Sequence, residues 1–158
     1  MSVKIRELEK ADISPAMDMV WAVFSEFIAP DYAQEGVDQF KAFIDPNLVT
    51  GKMDRGEFRI WGAFANKRIA GVIALRPPHN IALFSVDGQY HRQRIGRKLF
   101  DTVLRDKTAT QGWKKIAVNA SPYAVDIYRR LGFVPTNTEQ TVNGMRFMPM
   151  EFILAEGV

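Results

Sequence analysis

Residues 86–100, VDGQYHRQRIGRKLF, decide the fold. The run before them, NIALFSV (80–86), reads as a strand, and from Arg94 onward the apolar residues recur at helical spacing. Ile95, Leu99 and Val103, flanked by Phe100 and Leu104, form a core-facing stripe on a helix predicted over 94–110. A further strand, KKIAVNA (114–120), follows. The helix is therefore a crossover between two parallel neighbours, and a ligand is expected at their carboxyl ends. His91, Arg92, Arg94, Arg97 and Lys98 crowd the helix start, where the positive end of the dipole repels cations. An anion resolves the conflict, because the free amides of a first helical turn already form an anion site. A polyphosphate suits that chemistry. A solvated basic face is the competing reading, since each exposed dipole contact is worth only ~0.3–1 kcal/mol.

Working outward, VKIREL (3–8) alternates like a strand, and ADISPAMDMVWAVFSEFI (11–28) is a helix predicted to start at Ser14-Pro15 and to break at APDY (29–32). Val37, Phe40, Phe43 and Ile44 mark one face of a shorter helix, followed by a predicted loop at DPNLVTGKMDRG (45–56). EFRIWGAFA (57–65) and KRIAGVIALR (67–76) are strands joined by a tight turn at Asn66-Lys67. After the central strands and crossover, a short helix over 122–131 stops at Gly132, the residue type favoured just past a helix C-terminus. EQTVNGMRFMPMEFIL (139–154) is a hairpin turning at Asn143-Gly144. The order β-α-α-β-β-β-α-β-α-β-β predicts an α/β (α+β) fold with a central mixed sheet and helices on both faces.

The 158 residues contain no repeat or composition shift, so residues 1–158 read as one domain, and 47% hydrophobic residues supply its core. A net charge of +3 is a thin basic excess, which argues against nucleic acid as a partner. No run approaches the ~18 apolar residues of a membrane span, so a soluble, cytoplasmic protein is expected. The absence of cysteine excludes disulfides and any acyl-cysteine intermediate, so group transfer would be direct. Two histidines without a carboxylate pattern predict no metal site. The apolar strand of the C-terminal hairpin needs a cover, and a homodimer through it is one expectation.

The stretches YHRQRIGRKLF (90–100) and VNASPYAVDIYRRLGF (118–133) resemble, in this order and spacing, the two motifs of the GCN5-related N-acetyltransferase (GNAT) superfamily. The element order is also similar to that family's, over nearly the whole chain. The first motif, Gln/Arg-x-x-Gly-x-Gly/Ala, maps onto residues 91–96, with His91 at its first position, Arg94 at the central glycine and Gly96 matching strictly. A left-handed backbone at Arg94 would cost ~1–2 kcal/mol, and a helical one nothing. The second motif, Asn-x-x-Ala-x-x-x-Tyr-x-x-x-Gly-Phe, maps onto Ser121, Ala124, Tyr128, Gly132 and Phe133.

The resemblance implies acetyl-CoA as cosubstrate, its pyrophosphate held by the backbone from Arg92 through Gln93, Arg94, Ile95 and Gly96 to Arg97, next to His91. It implies contacts to the pantetheine arm near Val86, Asn119 and Ser121, with an amide near Val86, where the family's strand bulges, facing the oxyanion. It implies Tyr128 as proton donor to the leaving thiolate, although Ala124, Ile127, Tyr128 and Leu131 equally describe a core stripe. Glu26, Glu35 and His79 are candidates for the general base, and Tyr32, Trp61 and Phe84 for the acceptor pocket. The implied activity is transfer of an acetyl group to a primary amine of a small molecule or peptide. A non-catalytic acyl-CoA-binding sensor on the same fold is the alternative.

Overall fold

The computed structural model of the protein describes residues 2–91 and 93–154. Strand β1 (Val3–Glu7) leads into helix α1 (Lys10–Val23). The helix starts four residues before the expected Ser14, because Glu9 and Asp12 form a reciprocal capping box, so that Pro15 lies inside the helix. The predicted break at residue 29 is also absent as such. The chain continues as a π-helical turn (Phe24–Ile28) and a 3₁₀ turn (Ala29–Asp31) before α2 (Gln34–Phe43). The expected loop at 45–56 is in large part helix α3 (Pro46–Asp54). Asp45 caps it by accepting from the Leu48 amide at 3.3 Å, and Pro46 occupies the first turn, where no amide is needed.

Strands β2 (Arg59–Ala65), β3 (Arg68–Arg76) and β4 (Asn80–Val86) then form an antiparallel meander. Asn66 and Lys67 both adopt the left-handed conformation (φ 52° and 69°) of a two-residue hairpin turn. Helix α4 spans Ile95–Arg105. It ends five residues earlier than its apolar pattern suggests, because the Asp106 carboxylate accepts from the Thr108 and Ala109 amides and folds the chain into a turn. Strand β5 (Lys115–Ala120), helix α5 (Val125–Leu131) and strands β6 (Val134–Pro135), β7 (Gln140–Val142) and β8 (Met145–Ile153) complete the chain.

The sheet order is β1-β2-β3-β4-β5-β8-β6, with β7 paired to β8 and β4 parallel to β5. Helices cover both faces, and each has its own core. Ile13, Met17 and Val20 of α1 and Val49 of α3 pack on one side, whereas Ile95, Leu99, Phe100 and Val103 of α4 pack on the other with Leu131 and Phe133. Trp61, an acceptor-pocket candidate, is buried in the second core beneath the Arg59 guanidinium, 4.9 Å from its ring centre.

Candidate active site

The two central strands part company almost as soon as they meet. β4 and β5 share one bridge, Asn80 with Ala117, supported by the Ala117 amide donating to the His79 carbonyl at 2.8 Å. Just past this point the ladder between β3 and β4 skips Ala82: Ala74 faces Leu83 while Leu75 faces Ile81. A bulge of this kind bends the strand that carries it. The bulge lies at Ala82, four residues before the Val86 position suggested by resemblance, and the opening it starts runs on to Val86.

The orientation of the freed backbone follows from the ladder. The Asp87 amide donates to the Ala70 carbonyl at 2.8 Å. Hydrogen-bonded and non-bonded pairs alternate in an antiparallel ladder, so Ser85 and Leu83 bond toward β3, while the peptide groups of Phe84 and Val86 point to the side that β5 has left. The Val86 carbonyl accepts from His91 Nε2 at 2.8 Å, which fixes the proton of that imidazole on Nε2. The Val86 amide and both polar groups of Phe84 face the gap.

Helix α4 begins beside the same gap. Its cap, Arg94, is left-handed (φ 61°, ψ 22°), so the costly backbone geometry is the one adopted. Lys98 N donates to the Arg94 carbonyl at 3.0 Å, and the amides of Ile95, Gly96 and Arg97 precede this first intrahelical donor. The Arg94 side chain does not cap them. Arg97 Nη2 donates to the Arg130 carbonyl at 2.8 Å and ties the start of α4 to the end of α5. We expect Arg94→Gly to raise the melting temperature by about 2–4 °C, roughly 1 kcal/mol of relieved strain, in a calorimetric scan. An unchanged or lower melting temperature would show that no strain is stored there.

These features open into one cleft of about 1360 Å³, more than the ~300–1,000 Å³ typical of a single small-ligand site. Val86, His91, Arg94, Ile95, Gly96 and Arg97 line it, and so do Asn119, Ser121 and Tyr128. Arg92 lies outside the described residues. Gln93 is exposed and does not line the cleft. Neither do Glu26 and Glu35, both exposed: Glu26 sits close enough to Tyr123 for its charge to add to the upward pressure that burial puts on that phenol, and Glu35 abuts the Gly144 turn. His79 is at the opposite end of β4. Sequence reasoning missed Tyr90, Asp101, Tyr123 and Arg130, all of which line the cleft. Tyr123 and Arg130 lie within the stretch that carries the second motif, at positions the motif leaves open.

Tyr128 is 6% exposed, with its ring edge-on to Phe84 (5.9 Å between centres) and Phe133 (5.2 Å). Burial pushes its pKa well above the usual phenol value, so it holds its proton throughout the neutral range. Beyond β4 lies an aromatic wall. Phe24 stacks on Phe40 at 4.1 Å and meets Tyr32 edge-on at 5.5 Å, and Tyr32 lines the cleft with its pKa also raised by burial. The extra residue in the π-helical turn shifts the helix register here, and Phe27 packs 5.0 Å from both His91 and Tyr123. Among the described residues, no helix is long and apolar enough to cross a membrane, and no group of three or more His, Cys, Asp or Glu could hold a metal ion.

Comparison with known families and structures matches residues 28–154 to the acetyltransferase (GNAT) domain. No curated protein matches the chain. Among solved structures, a GCN5-related N-acetyltransferase from Rhodopseudomonas palustris is similar at 20% identity and a TM-score of 0.81, covering 98% of this chain and 97% of that one. The PaiA N-acetyltransferase of Thermoplasma acidophilum, in complex with coenzyme A, is similar at 18% identity and a TM-score of 0.80, covering 98% and 100%. The ribosomal-protein-S18-alanine N-acetyltransferase of Escherichia coli is similar at 17% identity and 0.67, covering 99% of each chain.

Proposed function

The chain belongs to the acetyltransferase (GNAT) family and is an acetyl-CoA-dependent acyltransferase, and from that premise we propose that residues 1–158 act as one unit that moves the acetyl group directly to a primary amine of a small molecule or peptide. The observation that carries the reading is the convergence of three chemically distinct features on one cleft. They are the uncapped amides at the start of α4, the unpaired peptide groups of β4, and the hydroxyl group of the buried Tyr128.

Each feature fits a different part of acetyl-CoA. The amides of Ile95, Gly96 and Arg97, with the Arg94 and Arg97 side chains, suit a pyrophosphate. The free edge of β4, with Asn119 and Ser121 on the β5 side, suits the amide-bearing pantetheine arm, which would pair as a strand does. The Val86 amide, or that of Phe84, is positioned for a carbonyl oxygen that becomes an oxyanion. Donors of this kind typically contribute about 3–4 kcal/mol to the barrier.

In the proposed reaction, the neutral amine attacks the thioester carbonyl, the C–N bond forms and the C–S bond breaks. One proton leaves nitrogen and one reaches sulfur, so the products are an N-acetyl amide and a free thiol. Tyr128 supplies the sulfur proton, and water in the open cleft accepts that of the amine. Among the described residues no carboxylate lines the acceptor half, so the neutral amine is selected by desolvation in the aromatic wall rather than by a nearby base.

Calorimetry with acetyl-CoA, followed by free-thiol release across a panel of amines, tests the reading. Micromolar binding and amine-dependent thiol release are expected. Binding without release by any amine would favour the sensor alternative. Failure to bind would remove both.

A further inference from the structure

The acceptor half of the cleft has a chemistry of its own. Its walls come from Phe24 and Tyr32, from Phe40 and Phe43 of α2, and from Met145 and Phe147 of β8. Among the described residues, the one full charge in this half is Arg76, exposed at the end of β3 and paired across the hairpin with Asn80, which also lines the cleft. No carboxylate of the described residues makes an ion pair with Arg76. Among the described residues, the single carboxylate lining the cleft is Asp101, on α4, 3.9 Å from Arg97. Asp31, in the turn that borders the acceptor half, is engaged with Arg146 at 3.4 Å.

Such a wall disfavours a polycationic acceptor, which would bring positive charge toward Arg76 and find no counterion. A guanidinium lacking a partner beside aromatic surface suits a carboxylate, which it can hold through two parallel hydrogen bonds. Resting on the acetyl-transfer reading, we propose that the acceptor is a primary amine with an aromatic or large apolar body and a carboxylate, and that Arg76 is the residue selecting that carboxylate. The Phe84 amide, the nearer of the two oxyanion donors, is four residues from Asn80, roughly 13 Å along the strand, a gap that the long Arg76 side chain and a short aromatic acid span together.

Two matched pairs test the proposal by thiol release: phenylalanine against phenethylamine, and para-aminomethylbenzoate against benzylamine. The ratio of kcat/KM within a pair isolates the carboxylate, and the two pairs sample different spacings. We expect the acid to be favoured by roughly five- to tenfold in at least one pair, as suits a partly solvated ion pair. Arg76→Gln should bring that ratio close to one. Arg76→Lys should restore part of it, and added salt should lower it. Spermidine as the best acceptor, ratios near one in the unmodified protein, or a ratio insensitive to Arg76→Gln would each overturn the proposal while leaving acetyl transfer intact. No thiol release from any amine, spermidine included, would overturn both.

Discussion

Tyr128→Phe is expected to lower kcat by about 10²–10⁴-fold, the range associated with a positioned proton donor, while leaving the dissociation constant of acetyl-CoA within about twofold. The substitution removes one oxygen and keeps the ring, so the edge-on contacts with Phe84 and Phe133 survive and the fold should not be disturbed. The raised pKa of Tyr128 looks at first like an obstacle, because a thiol has a pKa of ~8.5 and a phenol one of ~10. The comparison that matters is between two anions in the same apolar surroundings. Burial destabilises the departing thiolate as it does the phenolate, so the gap between them stays modest and a donated hydrogen bond eases departure. A further consequence concerns pH. With its pKa above the ordinary 10.0, Tyr128 should add no falling alkaline limb to the rate below that pH. Stopped-flow or steady-state thiol release measures the first effect and isothermal calorimetry the second. A variant with kcat within threefold of the unmodified protein would remove Tyr128 from the reaction and return it to the core.

Gly36→Ala should be strongly destabilising, because among the described glycines it would bring a methyl group closest to backbone atoms. A Cβ built on Gly36 would stand 2.5 Å from the Gly144 carbonyl oxygen and 2.7 Å from its carbon. Both are backbone atoms, which cannot swing away as a side-chain tip can. Gly144 is itself fixed, because it takes φ 78° in the hairpin turn and its carbonyl accepts from the Ala33 amide at 2.9 Å. Helix α2 must therefore retreat from the hairpin, at a cost of ~1–3 kcal/mol for overpacking. A fall in melting temperature of about 3–10 °C is expected. Because α2 carries Phe40 and Phe43 and the hairpin carries Met145 and Phe147, both walls of the acceptor half shift. The KM for the amine should rise about tenfold or more, whereas the affinity for acetyl-CoA, whose proposed site is on α4 and β4, should change little. Unchanged melting temperature and KM would mean that the contact is not constraining.

The sequence carried the order of the elements because its signals are local. Apolar periodicity marked α4 through Ile95, Leu99 and Val103, all of which are buried, and Asn66-Lys67 and Asn143-Gly144 marked turns whose backbone is left-handed. Reading errors arose where two local signals competed. Ser14-Pro15 looked like a helix start, but the Glu9–Asp12 box captured the chain earlier, and Asp45-Pro46 was an equally good start read as loop. Asp106 ended α4 against its own apolar pattern. The site was legible only in part, for a different reason. The resemblance marked positions on β4, α4, β5 and α5, and eleven of the residues named as site candidates line the cleft. Glu26 and Glu35 were candidates because they lie on or beside the first two helices, which in the family border the acceptor site, but both are exposed and neither lines the cleft. Arg76 carried no local signal at all, since only the pairing of β3 with β4 in the folded sheet brings it to the cleft.

The single bridge between β4 and β5 has a thermodynamic consequence. The molecule is two half-sheets stitched at one end, and the carrier's amide-bearing arm would supply the missing stitches along the rest of the seam. Cohesion then rises and falls with each catalytic cycle, by about 2.7 kcal/mol at a hundredfold excess over the dissociation constant. Spent coenzyme A has the same arm as the acetylated form, so the seam would come undone when the thiol departs, and not at the moment of chemistry.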